Sequence, residues 1–266
     1  MAYETILVEK SDAVATVTLN RPAKLNAINA TMLQELEQLF RELREDTGTR
    51  LVIFTGAGQA FSAGADLTDL SGPPESTEAS LGDVMRLVQL AGQDFTRSLE
   101  SLEQVTIAAV NGHAMGAGLV IAMACDFRVA ARSASLGIPE ANVGIFFTWG
   151  CTPRLTRLIG PAKAKEMIMT CEPVGAEEAL RIGLVNRVID DDDLMGSAHE
   201  LAATIGRKAP LAIRMTKKIV NAASAANIGD LYPCEPELVE RLYLSQDPLE
   251  GLAAFAEKRP PKFTGR

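Results

Sequence analysis

Residues 105–124 combine two apolar runs with a turn of small residues between them. The first run, VTIAAV at 105–110, is rich in β-branched residues and is typical of a strand covered on both faces. The second run, LVIAMA at 119–124, follows GAG at 116–118, and no ionisable group occurs until Asp126. The sequence therefore predicts a buried strand that leads into a buried helix through a turn almost without side chains.

Similar short strands recur along the first part of the chain and alternate with helical patterns. Strands are predicted at 14–19, 51–55, 105–110, 127–131 and 135–138. Beyond about residue 161 the pattern becomes mainly helical, with helices predicted at 163–170, 176–181, 193–207, 210–223 and 247–258 and one strand-like stretch at 184–189. Alternation of this kind predicts an α/β fold with helices on both faces of the sheet.

Composition excludes several classes of protein. The 266 residues are 47% hydrophobic and carry a formal net charge of −8, which disfavours nucleic acid or an anionic membrane as the main partner. No apolar run is long enough to span a membrane, and the first ten residues do not resemble an export signal, so a cytoplasmic location is expected. The four cysteines lie far apart without a CxxC pair, which predicts thiols and no metal site.

Other catalytic motifs are incomplete or missing. The GAG at 56–58 follows a buried strand as a dinucleotide fingerprint does, but Phe61 stands where the third glycine is needed. No GxSxG occurs, and His113 and His199 are the only histidines. A nicotinamide site and a serine-hydrolase triad are therefore both disfavoured.

Four stretches together resemble the crotonase family, the enoyl-CoA hydratases and isomerases. They are RPAKLNAIN at 21–29, FSAGADLTDL at 61–70, the segment from 111 through LGIPEANVGIFFTWGCTPRLTRLIG at 136–160, and EGLAAFAEKR at 250–259. They occur in the family's order and cover nearly the whole chain. The resemblance implies a spiral of repeated β-β-α units over residues 1–200, followed by a helical segment at 201–266 that assembles a homotrimer or a hexamer made of two trimers.

The resemblance also implies roles for individual residues. Ala65 and Ala117 take the places of the two oxyanion donors, and Glu140 takes that of the catalytic acid/base. Coenzyme A enters as part of the substrate thioester, with no other cofactor. The positions that contact it in the family are Lys24, Leu25, Ala63, Asp66, Leu67, Phe255 and Lys258, the last two often reaching the CoA of a neighbouring subunit.

The small residues agree with this chemistry on physical grounds. Reaction next to a thioester carbonyl creates an enolate-like oxyanion, which two backbone N–H groups can stabilise. Backbone can approach a ligand closely only where side chains are minimal, as at 63–65 and 116–118. The second stretch also begins a helix, whose N-terminus favours negative charge. The alternative is that these residues merely permit tight packing of strand and helix.

One position separates two activities of the family. Hydratases of the family carry a glutamate where this chain has Val120, while the second glutamate is present as Glu140. Adding water is easiest with two carboxyl groups, whereas moving a double bond needs one base that takes a proton from C2 and returns it at C4. The chain is therefore expected to be an isomerase. Two alternatives stay open: a hydratase whose water is held by another group, and a non-catalytic or RNA-binding member with a basic cluster at 207–218.

The segment after Glu140 departs from the family pattern. Where the family commonly has Pro-Gly-x-Gly, this chain has FTWG at 147–150, preceded by Phe146 and containing Thr148 and Trp149. Thr148 also replaces an aspartate found in dienoyl-CoA isomerases and dehalogenases. These side chains are expected either to narrow the acyl pocket or to pack in the core.

Overall fold

A computed structural model describes residues 3–66, 81–143, 147–225 and 246–266. The strands are β1 Ile6–Ser11, β2 Val14–Leu19, β3 Leu51–Gly56, β4 Ala60–Ser62, β5 Val105–Val110, β6 His113–Met115, β7 Phe127–Ala131, β8 Ser135–Gly137, β9 Val174–Gly175 and β10 Arg187–Ile189. The α-helices are α1 Ala30–Glu45, α2 Leu81–Glu100, α3 Ala117–Ala124, α4 Cys151–Ile159, α5 Pro161–Thr170, α6 Ala176–Arg181, α7 Leu194–Gly206, α8 Pro210–Ala225 and α9 Asp247–Glu257.

The strands form two sheets. The larger has the order β1-β2-β3-β5-β7-β10 and is parallel except for the β1–β2 pair, and the smaller has the order β4-β6-β8-β9. Along the chain, β3, β5 and β7 of the first sheet are each followed directly by β4, β6 and β8 of the second. This alternation is the spiral of β-β-α units that the family resemblance implies, and the α/β fold class is confirmed.

The central strands and the inner faces of the helices form the core. Every position of β3 and β5 is buried, as their unbroken apolar runs predict. Helix α1 is capped by Asn29, whose side chain accepts a hydrogen bond from the Met32 N–H at 3.0 Å, and it buries its apolar face. Helix α3 is buried at all eight positions, which explains why it carries no ionisable group.

Six elements have no counterpart in the sequence analysis, namely β1, β4, β6, β9, α2 and α4. Strand β1 lies at the sheet edge and exposes Glu9 and Lys10, so it lacks the apolar run of a central strand. Helix α2 is amphipathic and buries Gly92, Phe95 and Leu99 on one face, so its apolar periodicity is present in the sequence and was missed. The loop predicted at 71–80 lies outside the described residues.

The C-terminal part begins with helices that remain attached to the core. Helix α7 crosses residue 200, the predicted boundary, and contacts β3, β5 and β7. Helix α8 is joined to the core by Lys217, whose ammonium lies 2.7 Å from the Asp126 carboxylate. The division into a spiral core at 1–200 and a trimerisation segment at 201–266 stays a prediction.

Asn26 joins the loop before α1 to the β4 segment. It is fully buried with φ 54°, and its side-chain amide donates to the carbonyls of Ala57 and Ala60 at 2.8 and 2.7 Å. Its side-chain oxygen accepts from the Arg21 N–H, and its backbone carbonyl accepts from the Ser62 hydroxyl. These four hydrogen bonds fix the backbone that leads to residues 63–66.

We expect Asn26→Ala to lower the free energy of unfolding by about 3 kcal/mol, because it leaves buried carbonyls unpaired and places alanine at positive φ. Asn29→Ala removes only the α1 cap and should lower the free energy of unfolding by about 1 kcal/mol. Urea unfolding followed by circular dichroism at one protein concentration compares the two variants. Equal losses of unfolding free energy in the two variants would show that the buried hydrogen bonds of Asn26 contribute no more than a helix cap.

Candidate active site

Three parallel strands of the smaller sheet end side by side, and each delivers one part of the candidate site. Strand β4 leads to residues 63–65, β6 leads to the turn at 116–118, and β8 leads to Glu140. Because β4 pairs with β6 and β6 pairs with β8, the three segments meet at one edge of the sheet. Parallel sheets commonly place their binding sites at this carboxyl edge.

The two stretches of small residues are in direct contact. A methyl group on Gly118 would stand 2.6 Å from the Ser62 carbonyl oxygen. A methyl group on Gly64, which has φ 102°, would stand 3.0 Å from the Met115 carbonyl oxygen and 3.7 Å from the Ala117 amide nitrogen. Glycine is required at both positions because the backbones approach closer than a side chain allows.

The Ala65 amide is left free by the local strand pairing. Ala65 forms a parallel bridge with Ile28, in which the Ile28 N–H donates to Gly64 O at 2.8 Å and the Asp66 N–H donates to Ile28 O at 2.9 Å. In a parallel bridge the hydrogen bonds are made by the residues on either side of the bridged residue. The Ala65 N–H therefore points away from Ile28. No acceptor for it occurs among the residues that the structure describes.

The Ala117 amide is free for a different reason. Ala117 is the first residue of α3, where an N–H has no acceptor inside the helix. The preceding Gly116 has φ 46°, and its own N–H donates to Gly137 O at 3.0 Å. The turn therefore presents the Ala117 N–H at the positive end of the helix, next to the segment that carries Ala65.

The Glu140 carboxyl group lies against this turn. A methyl group on Gly116 would stand 2.6 Å from Glu140 Oε1, and Oε2 is buried without a hydrogen-bond partner in the described part of the chain. Burial raises the pKa of Glu140, since the charged form loses its hydration. Val120, one turn into α3, is 3% exposed and offers only an isopropyl group.

The residues predicted to contact CoA near the N-terminus lie beside the Ala65 segment. The Ala63 N–H donates to Leu25 O at 2.9 Å, and Leu25 is exposed with φ 48° at the end of the short 3-10 helix that contains Lys24. Asp66 is buried and forms an ion pair with Arg21 at 3.0 Å. Sequence reasoning gave Arg21 no role, although it stands in the RPAKLNAIN stretch. Leu67 lies outside the described residues.

The C-terminal residues lie elsewhere in the protomer. Lys258 is exposed just after α9, and nothing is described of the Phe255 side chain. The tail after α9 folds back on that helix, where the Thr264 N–H donates to the Asp247 carboxylate, and it reaches Pro210. No contact between 246–266 and Glu140 is seen in the described residues.

Trp149 is part of the core next to the site. It is 8% exposed, has φ 55°, and meets Phe95 edge-on with ring centroids 6.2 Å apart. Its indole packs on Gly92 of α2. The Thr148 carbonyl accepts the first N–H of α4, and Phe146 lies outside the described residues.

Other candidates receive no support. In the basic cluster at 207–218, Lys217 is buried in its ion pair with Asp126, and Arg214 pairs with Glu103. A cleft of about 560 Å³ lies at the start of β3 and β5, and none of the predicted site residues lines it. Across the described ranges, no group of three or more His, Cys, Asp and Glu residues could hold a metal ion, and no helix is long and apolar enough to cross a membrane.

Comparison with known proteins agrees with this arrangement. The family model described as enoyl-CoA hydratase/isomerase matches residues 9–266. A short-chain-enoyl-CoA hydratase from Clostridium acetobutylicum is 38% identical over 97% of each chain, and a crotonyl-CoA hydratase from Syntrophomonas wolfei is 37% identical over the full length of both. The crystal structure of an enoyl-CoA hydratase from Bacillus anthracis matches with a TM-score of 0.92 and 37% identity, covering 99% of this chain and 100% of the other. The chain therefore belongs to the enoyl-CoA hydratase/isomerase family.

Proposed function

We propose that this enzyme moves the double bond of an enoyl-CoA from position 3 to position 2, with Glu140 as its single acid/base. The observation that carries the proposal is the Glu140 carboxyl group, with a buried and unpaired oxygen, beside the free Ala117 amide and the apolar Val120. One base is sufficient for this reaction.

The reaction balances without water or a redox partner. Glu140 takes a proton from C2, and the electrons of that C–H bond form a C1–C2 double bond while those of the thioester C=O bond move to its oxygen. The thioester oxygen carries the negative charge between the two steps, and the N–H groups of Ala65 and Ala117 donate to it. Glu140 then returns the proton at C4: the C=O bond re-forms, the C1–C2 electrons become the C2–C3 double bond, and the C3–C4 electrons form the new C4–H bond.

The environment of the site supports both proton transfers, the removal at C2 and the return at C4. Each amide donor to such an oxyanion is worth about 3 kcal/mol of transition-state stabilisation. Burial raises the pKa of Glu140 toward neutral pH. The carboxyl group can therefore both accept and return a proton. Exclusion of water by Val120 and the buried helix α3 strengthens these interactions.

The acyl-CoA thioester is the only ligand that we propose for this site. Lys24, Leu25, Ala63, Asp66 and Leu67 are proposed to contact CoA at one end of the site, and no further cofactor is needed. Phe255 and Lys258 are proposed to act from a neighbouring subunit, because α9 and its tail have no described contact with Glu140. This arrangement calls for a homotrimer or a dimer of trimers.

Hydration of a 2-enoyl-CoA is the second candidate. The relatives named as hydratases at 37% and 38% identity favour it. Against it stands Val120, which cannot hold or deprotonate water.

Ala117→Pro should lower kcat about 100- to 1000-fold, because proline removes one oxyanion donor. Ala117 is the first residue of α3, a position where proline is compatible with the helix, so the fold should survive. Ala117→Gly keeps the N–H and is the matched control. A folded proline variant with near-normal turnover would show that this amide does not hold the oxyanion.

The rate of isomerisation should fall as the pH is lowered. The midpoint of this fall should lie above the pKa of an exposed glutamate. Only ionised Glu140 can take the C2 proton, and burial raises its pKa, so activity is lost as the pH drops through that raised value. A pH profile of kcat/KM on a 3-enoyl-CoA measures this. A profile that stays flat down to about pH 4.3, the ordinary glutamate value, would contradict it.

Glu140→Gln should reduce isomerisation and exchange of the C2 proton about 10²–10⁴-fold. Val120→Glu should raise the ratio of hydration to isomerisation, whereas Val120→Gln, of the same size without an acid, should not. Mass spectrometry of products from matched 2-enoyl-CoA and 3-enoyl-CoA substrates distinguishes the two reactions. Fast hydration by the wild-type enzyme would overturn the isomerase proposal.

A further inference from the structure

A buried arginine lies at the C-terminal end of α3, and the proposed mechanism does not use it. Arg128 on β7 is 5% exposed. Within the described ranges it forms no ion pair, because the nearby Asp126 carboxylate is paired with the Lys217 ammonium at 2.7 Å. Burial lowers the pKa of Arg128, since the charged form loses its hydration. A buried charge without a direct ion pair calls for an explanation.

The hydrogen bonds of the guanidinium show where this charge is used. Nη1 of Arg128 donates to Cys125 O at 2.7 Å and to Ala122 O at 3.5 Å, and Nε donates to Leu184 O at 2.8 Å. Ala122 lies in the last turn of α3 and Cys125 is its C-cap, where carbonyls lack the donors that a continuing helix would supply. The cation also lies at the negative end of the helix dipole. Arg128 therefore joins this end of α3 to β7 and to the segment at 184.

Helix α3 needs such directional contacts because apolar burial does not define its position. Its eight residues, AGLVIAMA at 117–124, are all apolar and all buried, so no polar face selects one rotation or one position along the helix axis. Hydrogen bonds supply the missing direction. At the N-terminal end the Gly116 N–H donates to Gly137 O at 3.0 Å, and at the C-terminal end the Arg128 guanidinium donates to Cys125 O.

The position of α3 matters because Ala117 is its first residue. Eight helical residues span only about 12 Å, so a short hydrogen-bonded backbone connects the carbonyls held by Arg128 with the free N–H of Ala117. A displacement of about 1 Å at a reacting group can lower the rate of an enzyme about 100-fold. Movement of α3 along its axis would therefore weaken the hydrogen bond from Ala117 to the thioester oxygen.

We propose that Arg128 is a positioning residue, which acts through α3 to align the Ala117 N–H with the thioester oxygen. The inference rests on one part of the proposed function, namely that this N–H donates to the oxygen of a bound acyl-CoA. It does not depend on whether the reaction that follows is isomerisation or hydration.

The infrared frequency of the thioester carbonyl tests this alignment. Butanoyl-CoA labelled with carbon-13 at its carbonyl is saturated, so it can bind but can neither isomerise nor add water. Hydrogen bonds to the carbonyl oxygen lower its stretching frequency. The wild-type enzyme should lower this frequency on binding, Arg128→Met should lower it less, and Arg128→Lys should be intermediate, because lysine keeps the charge without the guanidinium fork.

Turnover gives the second measurement. In Arg128→Met, kcat on a 3-enoyl-CoA should fall about 100-fold with little change in KM, because the oxyanion donor is displaced while the CoA contacts remain. The same substitution should cost much less in an Ala117→Pro background, where the N–H that Arg128 aligns is already absent. Loss of stability alone would lower kcat equally in both backgrounds. Circular dichroism at the assay temperature checks that each variant is folded.

Lys217→Met is the matched control. It also removes a buried cation near this end of α3, but the Lys217 ammonium binds the Asp126 carboxylate and not the α3 carbonyls. This variant should leave the carbonyl frequency of bound butanoyl-CoA unchanged. If Arg128→Met does not fold, Arg128→Lys is compared with the control in the same way.

The outcomes separate this inference from the isomerase proposal. A folded Arg128→Met variant with the wild-type carbonyl frequency, or with equal losses of kcat in both backgrounds, would overturn the inference and leave the isomerase proposal intact. An unchanged carbonyl frequency when the wild-type enzyme binds butanoyl-CoA would overturn the oxyanion role of Ala117 and this inference together. Fast hydration by the wild type, with a smaller frequency change in Arg128→Met, would support the inference and overturn only the isomerase proposal.

Discussion

Close approach of two backbones is the constraint on which the site depends. The β4 segment and the turn after β6 meet so tightly that a methyl group on Gly118 would overlap the Ser62 carbonyl. Pairing of β4 with β6 sets this distance, and Asn26 fixes the β4 side through hydrogen bonds to Ala57 and Ala60. The two free amides lie next to each other because no side chain separates the segments.

The spiral fold explains why this contact occurs at a sheet edge. Each β-β-α unit contributes one strand to the small sheet, so three successive units bring their loops together although they are far apart in sequence. The third unit contributes Glu140, which is half-buried and whose carboxyl group lies against Gly116. Burial raises the pKa of Glu140. Helix α3, which carries Ala117 and Val120, offers no acid of its own.

Helix α2 packs on α3 and receives the Trp149 side chain. Gly92 admits the Trp149 indole to the helix backbone, and the aromatic series continues through Phe95 to Phe40. The sequence analysis left two interpretations of Trp149, a pocket wall or core packing. The structure places the ring in the core, where Trp149 is 8% exposed and packs on Gly92.

The sequence alone determined the fold class, most of the strands and helices, and the small residues that let two segments approach a ligand. These features are local, since they depend on apolar periodicity, caps and the absence of side chains. Edge strand β1 was missed because its exposed residues break the apolar alternation, and β4, β6 and β9 because they are only two or three residues long. Only the tertiary structure decided that Ala65, Ala117 and Glu140 meet, that Arg21 pairs with Asp66, and that Arg128 binds carbonyls at the end of α3. Such contacts join residues distant in sequence through strand pairing and helix packing, so no local pattern in the chain could specify them.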